Sequence, residues 1–318
     1  MVDIPTAKDK WSGKIGEVRL GATAENGGTR KSNKVIGGQN GLPFLSYENE
    51  YPNRPAMAGE VVDSLEGYPE LAKEEFGDAV NDPVEWAKCW VNEHGADLIC
   101  LRLLSTNPEE ENTSSEDAAK LIRDIMDAVP VPILVYGCGH EEKDAKTMEL
   151  VSNTCAGERI LIGHAEEDAY KSISAASMAN GHAVVGFSNL DINLAKQISI
   201  LLTDFGVHLD DIVADPLMAA LGMGLEYSYS VNERIRLAGL MGDKMLQVPM
   251  LCDASVAWEA REATDDDPAY GDAKERAMWW EVTTGLAALL SGADMLIVRN
   301  PRAASMINLL VDDLLGGD

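Results

Sequence analysis

An α/β protein, an eight-stranded (β/α)8 TIM barrel behind an N-terminal β-hairpin extension, is the fold this sequence predicts. Three observations predict it. From Pro55 onward one unit recurs: a short apolar run, turn residues, then an amphipathic helical pattern. The unit occurs eight times over about 260 residues, the usual size of such a barrel. The apolar runs are near-continuous rather than alternating, as parallel strands covered on both faces require. An open doubly wound sheet is the competing architecture, but no GxGxxG follows the first strand to mark a phosphate-binding turn.

The elements follow in order. Residues 1–54 read as the extension: strand-like runs at Glu17–Ala22 and Lys34–Gly38 flank ENGGTRKS, a loop composition that suits a hairpin. Residues 55–318 read as the barrel. The strands fall at 56–62, 96–104, 132–138, 159–165, 182–188, 211–216, 249–255 and 293–300. The helices fall at 83–94, 114–128, 142–156, 166–180, 190–206, 228–241, 274–291 and 301–315. Ser114 with Asp117 three residues on resembles a capping box. Pro83 suits a first helical position after Asp82, and Asp191 opens a helix whose apolar residues recur at helical spacing. Gly95, Gly157, Gly181, Gly206 and Gly292 each follow a helix, where a left-handed cap is wanted. Two longer loops, 216–228 and 256–273, follow late strands and so belong to the C-terminal face of the barrel.

Composition excludes several roles. Of 318 residues, 53 are acidic and 26 basic, a net charge of −27 that argues against binding nucleic acid through phosphates. No stretch reaches the ~18 apolar residues a membrane helix needs, and the first residues show no apolar signal core, so a cytoplasmic location is expected. The five cysteines form no CxxC pair and fit no zinc or iron–sulfur spacing. They read as free thiols.

Function in a barrel gathers where strands end. Those ends read Gly59-Glu60, Arg102, Gly137-Cys138-Gly139, Gly163-His164, Ser188-Asn189 with Asp191 and Asn193, Asp215-Pro216, Asp253 and Arg299-Asn300. This ring of small and polar residues suits an uncharged or mixed polar ligand better than a bare phosphate. His164 and His140 each have glutamates beside them, but neither forms HExxH, and no metal is expected in this chain. There is no GxSxG elbow. Glu60, Asp191, Asp215 and Asp253 are acids that a glycosidase could pair, yet only Trp258 of the tryptophans in question lies in a βα loop; Trp86, Trp90, Trp279 and Trp280 fall inside helices. The stretch 215–237 is the most unusual, with Gly222, Gly224, Tyr227 and Tyr229 ahead of a helix. Glycines admit a close backbone approach, and tyrosines offer an apolar face with a polar tip.

Nine segments, in order, resemble one family: LGATAENGGTR (20–30), VIGG (35–38), NRPAMAGEVVD (53–63), GADLICLRL (95–103), VYGCGHEEKD (135–144), HAEEDAYKS (164–172), LDINLAKQ (190–197), ADPLMAALGMGLEYSYSVNERIRLAGLMGDKML (214–246) and GADMLIVRNP (292–301). They resemble the small (delta) subunit of the corrinoid/iron–sulfur protein of the acetyl-CoA synthase/decarbonylase (carbon monoxide dehydrogenase) pathway. The resemblance implies a barrel whose mouth covers a corrinoid, shared at the interface with a large subunit that carries the iron–sulfur cluster. It implies a heterodimer with that large subunit, and transient contact with a methyltetrahydropterin methyltransferase and with acetyl-CoA synthase. The absence of CxxC and of DxHxxG agrees with a chain that supplies neither cluster nor cobalt ligand: Asp211 and Asp215 have no histidine two residues on. Strand-end position together with the resemblance assigns the corrinoid-facing surface to His164, Ser188, Asn189, Asp191, Asn193, Asp215, Gly222, Gly224, Tyr227 and Arg299. No catalytic residue is expected. The alternatives are a pterin-dependent methyltransferase using Asp215 and Asn189, a lyase or aldolase barrel (for which no strand-end lysine is found), and a scaffold that never touches corrinoid.

Overall fold

The structure is a computed structural model and describes residues 8–48 and 51–316. A hairpin of β1 (Glu17–Leu20) and β2 (Lys34–Gly37) precedes eight strands: β3 (Ala56–Val62), β4 (Leu98–Arg102), β5 (Ile133–Tyr136), β6 (Leu161–Ala165), β7 (Ala183–Phe187), β8 (Ile212–Asp215), β9 (Leu251–Asp253) and β10 (Met295–Val298). The helices are α1 (Glu70–Lys73), α2 (Pro83–Asn92), α3 (Ser115–Ala128), α4 (Glu141–Thr154), α5 (Tyr170–Ala179), α6 (Ile192–Phe205), α7 (Leu225–Leu240), α8 (Arg261–Thr264), α9 (Ala273–Ser291) and α10 (Pro301–Leu314). All strand pairs from β3 to β10 are parallel, in the order β8-β7-β6-β5-β4-β3-β10-β9. A single parallel bridge, Ala214 to Met250, closes the ring between β8 and β9.

The predicted units all form, with strands a residue or two shorter at their ends. Asp82, Ser114, Asp191 and Asn300 each accept hydrogen bonds from backbone N–H groups of the helix they precede. The five predicted cap glycines all have positive φ. Two helix starts move: α5 starts at Tyr170, not 166, because residues 166–169 form a turn first, and α7 starts at Leu225, not 228, because Gly224 turns left-handed at φ 100° and the chain enters the helix at once. Tyr227 and Tyr229 therefore lie on the first two turns of the helix rather than in a loop.

The period-two rule sorts the strands into two cores. Inward residues such as Ala58, Cys100, Leu134, Leu161, Val185, Val213, Leu251 and Ile297 fill the barrel. Outward residues such as Val61, Ile99, Val135, Ile162 and Leu296 pack under the helices with Ile122, Val151 and Ile198. Glycine is needed where a helix presses on the sheet: a Cβ on Gly59 of β3 would lie 2.3 Å from Cδ2 of Trp90.

The hairpin belongs to the barrel's packing. Val18, Leu20 and Ile36 join the interior cluster and close the end opposite the mouth. Gly16 N–H donates to Gln247 O at 2.8 Å and Gly21 N–H to Arg159 O at 2.8 Å. Buried Arg30 pairs with Glu158 at 3.1 Å and donates to the carbonyls of Val129 and Met126 at 2.6 and 2.7 Å. A Cβ on Gly37 would lie 2.1 Å from Gly16 O, so only glycine lets these two segments meet.

Candidate functional site at the barrel mouth

Continuing the inward parity one step past the last apolar layer gives Glu60, Arg102, Tyr136, Phe187, Asp215, Asp253 and Arg299 from seven strands; on β6, where parity from Leu161 leads to Gly163, His164 takes the place instead. Eight residues scattered over 240 positions of sequence thus form the floor of the C-terminal mouth. A shift in the β6–β7 register between Ile162 and Ala165 re-aims the end of β6, where His164 sits.

Half of this floor is a closed charge network. Glu60, fully buried, receives Arg102 Nε at 2.7 Å on Oε1 and Arg299 Nε at 2.6 Å on Oε2. Ser255 Oγ also donates to Glu60 at 3.2 Å, and Arg102 reaches on to Asp253. The Arg299 guanidinium stands 4.8 Å from the centre of the Tyr68 ring, and that of Arg102 5.3 Å from Tyr136. Burial would raise the Glu60 carboxyl, but the Arg299 and Arg102 charges win and hold it down at about 2. Two carboxylates and two guanidiniums cancel, so this half offers no free charge to a phosphate or an acid.

The second half is an aromatic and polar relay. Tyr136 donates its hydroxyl to Asp215 at 3.2 Å, and Leu217 N–H donates to the other carboxylate oxygen at 3.0 Å. His164 Nε2 comes within 3.3 Å of Asp215, close enough for an ion pair but not aligned as a hydrogen bond, so the buried nitrogen keeps a free valence. Its ring lies 4.0 Å from Tyr136 and 4.9 Å from Phe187. Burial and then the Asp215 charge raise the Tyr136 phenol well above its usual range, so it remains a donor. Behind Arg299, burial pushes Glu281 up to about 8 against the pull of the Trp258, Arg299 and Asn300 N–H groups that donate to it.

The sequence-predicted residues divide by position. His164, Asp215 and Arg299 lie in the floor. Ser188 is fully buried beside it: its N–H donates to Asp215 O at 3.0 Å, while its hydroxyl oxygen finds no partner. Asn189 is exposed at φ 34°, and Leu190 and Leu217 share the left-handed region at φ 59° and 69°. Three strained non-glycine residues at one rim form the pattern that functional loops show. Asp191 is occupied as the cap of α6, accepting from Asn193 and Leu194 N–H, and the Asn193 side chain is exposed on the first turn. Gly222 (φ 81°) and Gly224 shape the loop after β8, and Tyr227 beyond them is 66% exposed beside exposed Met223. That loop is anchored: Trp280 Nε1 donates to Leu221 O at 2.8 Å, and Ala219 N–H to Ser228 Oγ at 2.7 Å.

Glu60, Arg102 and Asp253 were visible as strand ends but not as site residues, and Tyr136 and Phe187 were missed. The signal for all five was strand parity. Trp258 is 3% exposed and hydrogen-bonded to Glu281, so it offers no sugar platform. Cys138 is half-buried, its N–H donating to Asp144, and burial raises its thiol, the opposite of activation.

Below the floor the barrel interior is filled by side chains. A cavity of about 160 Å³ lies at one edge of the mouth, between Gly137, Glu141, His164 and Asp168. A large flat ligand would lie across the rim, not within the barrel. No lysine stands in the floor layer among the described residues.

Solved structures similar to this chain include dihydropteroate synthase barrels. That of Xanthomonas albilineans with 4-aminobenzoic acid superposes with a TM-score of 0.58 at 16% identity, covering 83% of this chain and 94% of that one. The Coxiella burnetii enzyme with pteroic acid gives 0.57 at 16% identity over 87% and 99%. At that identity the likeness is one of fold. Sequence relatives are nearer. The acetyl-CoA decarbonylase/synthase complex subunit delta of Archaeoglobus fulgidus is 36% identical over 97% of this chain and 70% of its own length. The subunit of that name from Methanocaldococcus jannaschii is 37% identical over 92% and 72%. The model of the CO dehydrogenase/acetyl-CoA synthase delta subunit family matches residues 17–310. With its barrel, its internally paired mouth and this match along nearly its whole length, the chain belongs to the CO dehydrogenase/acetyl-CoA synthase delta subunit family.

Proposed function

We propose that this chain is the small subunit of a heterodimeric corrinoid/iron–sulfur protein. Its barrel mouth covers a corrinoid carried by the large subunit while a methyl group passes from methyl-tetrahydropterin to acetyl-CoA synthase. The pterin-dependent methyltransferase and the acetyl-CoA synthase are then its transient partners. The observation that carries this reading is the state of the mouth: its charges are spent on one another, yet the Ser188 hydroxyl and His164 Nε2 are buried without a hydrogen bond. Buried polar atoms are rarely left so unless a partner is to come.

The residues fit a neutral, amide-fringed macrocycle laid over the rim. Ser188, His164 and Asn189 would hydrogen-bond its polar edge, while Met223 and Tyr227 would cover its apolar face. Gly222 and Gly224, both left-handed, shape the turns of that loop. Asp215 and Arg299 act one step back, Asp215 fixing Tyr136 and the Leu217 turn, Arg299 locking Glu60. When bound, the corrinoid supplies the cobalt centre that carries the methyl group. What this chain adds is exclusion of water over a rigid, charge-compensated floor, a shielding and gating task. Among the described residues no helix is long and apolar enough to cross a membrane.

The test is co-expression with the large subunit. A one-to-one complex with corrinoid absorbance, absent from this chain alone and weakened by His164→Ala with Ser188→Ala, supports the proposal. A colourless chain that ignores that partner and binds methyl-pterin through the mouth would replace it with a methyltransferase.

A further inference from the structure

The C-terminal end of α2 carries a cluster unrelated to the mouth. Cys89, Glu93 and His94 bring a thiol sulfur, a carboxylate oxygen and an imidazole nitrogen within 4.8 Å of one another. Local structure explains the meeting. Cys89 and Glu93 stand four apart, on one helical face. The helix ends at Asn92 with Glu93 as its cap, and Gly95 then turns left-handed at φ 66°, so that His94 folds back over the last turn. The His94 ring is held by two aromatic neighbours, Phe76 at 5.8 Å and Trp90 at 5.9 Å, both edge to face. This fixes its Nε2 against Cys89 Sγ at 3.7 Å.

That spacing has a metal's dimension. A tetrahedral zinc ion with Zn–S of about 2.3 Å and Zn–N of about 2.0–2.1 Å holds its sulfur and nitrogen roughly 3.5–3.6 Å apart. A thiol and an imidazole at such a distance make only a weak hydrogen bond. Cys89 and His94 are half-buried and Glu93 is exposed, which leaves one side open for entry.

We propose that Cys89, Glu93 and His94 bind one Zn²⁺ ion, with water at the fourth position, stapling the end of α2 to the segment that leads into β4. The thiolate, imidazole and carboxylate set suits zinc; magnesium and calcium take oxygen ligands. Binding forms the Zn–S bond and releases the Cys89 thiol proton to solvent. The spacing Cys-x3-Glu-His follows no zinc-finger pattern, which is why the sequence gives no notice of the site.

The experiment uses the full chain, stripped with a chelator and titrated with Co²⁺ as a spectroscopic stand-in. One equivalent is expected to give a near-ultraviolet thiolate-to-cobalt band at micromolar concentration, and Zn²⁺ to displace it. Cys89→Ser should abolish the band and weaken Zn²⁺ binding by more than about 100-fold, beyond the ~10–100-fold that loss of an outer partner costs. His94→Gln should weaken it at least about tenfold, and Cys138→Ser, at the other half-buried thiol, should change nothing. Should Cys89→Ser fold poorly, alkylation of the parent chain serves instead, with Zn²⁺ protecting Cys89 and not Cys138. A missing band, a band that survives Cys89→Ser, binding only at millimolar Zn²⁺, or unprotected Cys89 overturns the site.

Discussion

Replacing Glu60 by Gln tests the account of the barrel floor most directly. The carboxylate is 0% exposed and each oxygen meets a guanidinium that is itself largely buried. Glutamine keeps the shape but removes the charge and turns one acceptor into a donor facing Arg102 or Arg299. Breaking a buried pair by neutralising one partner costs about 3–5 kcal/mol. The proton affinity gives a second route to the same magnitude. Glu60 falls from 4.5 unfolded to about 2 folded, a difference worth roughly 3 kcal/mol at about 1.4 kcal/mol per unit. The sign follows from the lowered value: the stabilisation is complete above pH 4.5 and is lost as pH falls towards 2. Urea denaturation of parent and Glu60→Gln should therefore differ by about 3–5 kcal/mol from pH 8 down to about 5, with the gap narrowing below that. The melting temperature should drop by roughly 5–7 °C, given an unfolding entropy of about 2 cal/mol/K per residue. A variant within about 1 kcal/mol of the parent at pH 7, or a gap that does not shrink in acid, would refute a floor held by ion pairing.

Three further outcomes are expected. Gly59→Ala should destabilise by at least about 1–3 kcal/mol, because its methyl would lie 2.3 Å from Trp90 Cδ2; a thermal melt followed by tryptophan fluorescence reads both the loss and the displaced indole. Arg30→Met should cost about 3–5 kcal/mol in denaturant, since Glu158 is left buried beside two carbonyls without their donor. Asp191→Ala should cost only about 0.5–2 kcal/mol as a lost α6 cap; if it instead leaves stability intact and abolishes corrinoid retention in the heterodimer, Asp191 contacts the ligand.

The repeated unit was readable because its signals are local. A buried strand announces itself by an apolar run, and a helix by Ser114, Asp191 or Gly206 at its end. The start of α7 was not, because Gly224 carries no capping side chain and its left-handed turn looks like continuing loop. The floor was legible only in part. His164 and Asp215 stand out as polar residues where apolar strands stop. Glu60 and Arg299 are 239 positions apart, and the salt bridge that defines both exists only once β3 lies beside β10. Asp191 looked like a ligand for the reason it makes a good cap: a short acid ahead of a helix serves either end. Cys89 and His94 lie five residues apart, yet their meeting depends on the Phe76 and Trp90 rings that position the imidazole.

The order in which the chain is made sets a delay for the hairpin that plugs the barrel. Val18, Leu20 and Ile36 leave the ribosome ahead of the barrel strands, but Arg159, which receives Gly21, is 138 residues behind it and Gln247, which receives Gly16, is 231 behind. At about 5–20 residues per second the wait for Gln247 is on the order of ten to forty seconds. Through that interval the apolar face of the hairpin has no barrel to enter. The hairpin, translated ahead of the whole barrel, is thus among the last elements to dock, and it should be a part of the nascent chain that chaperones hold long.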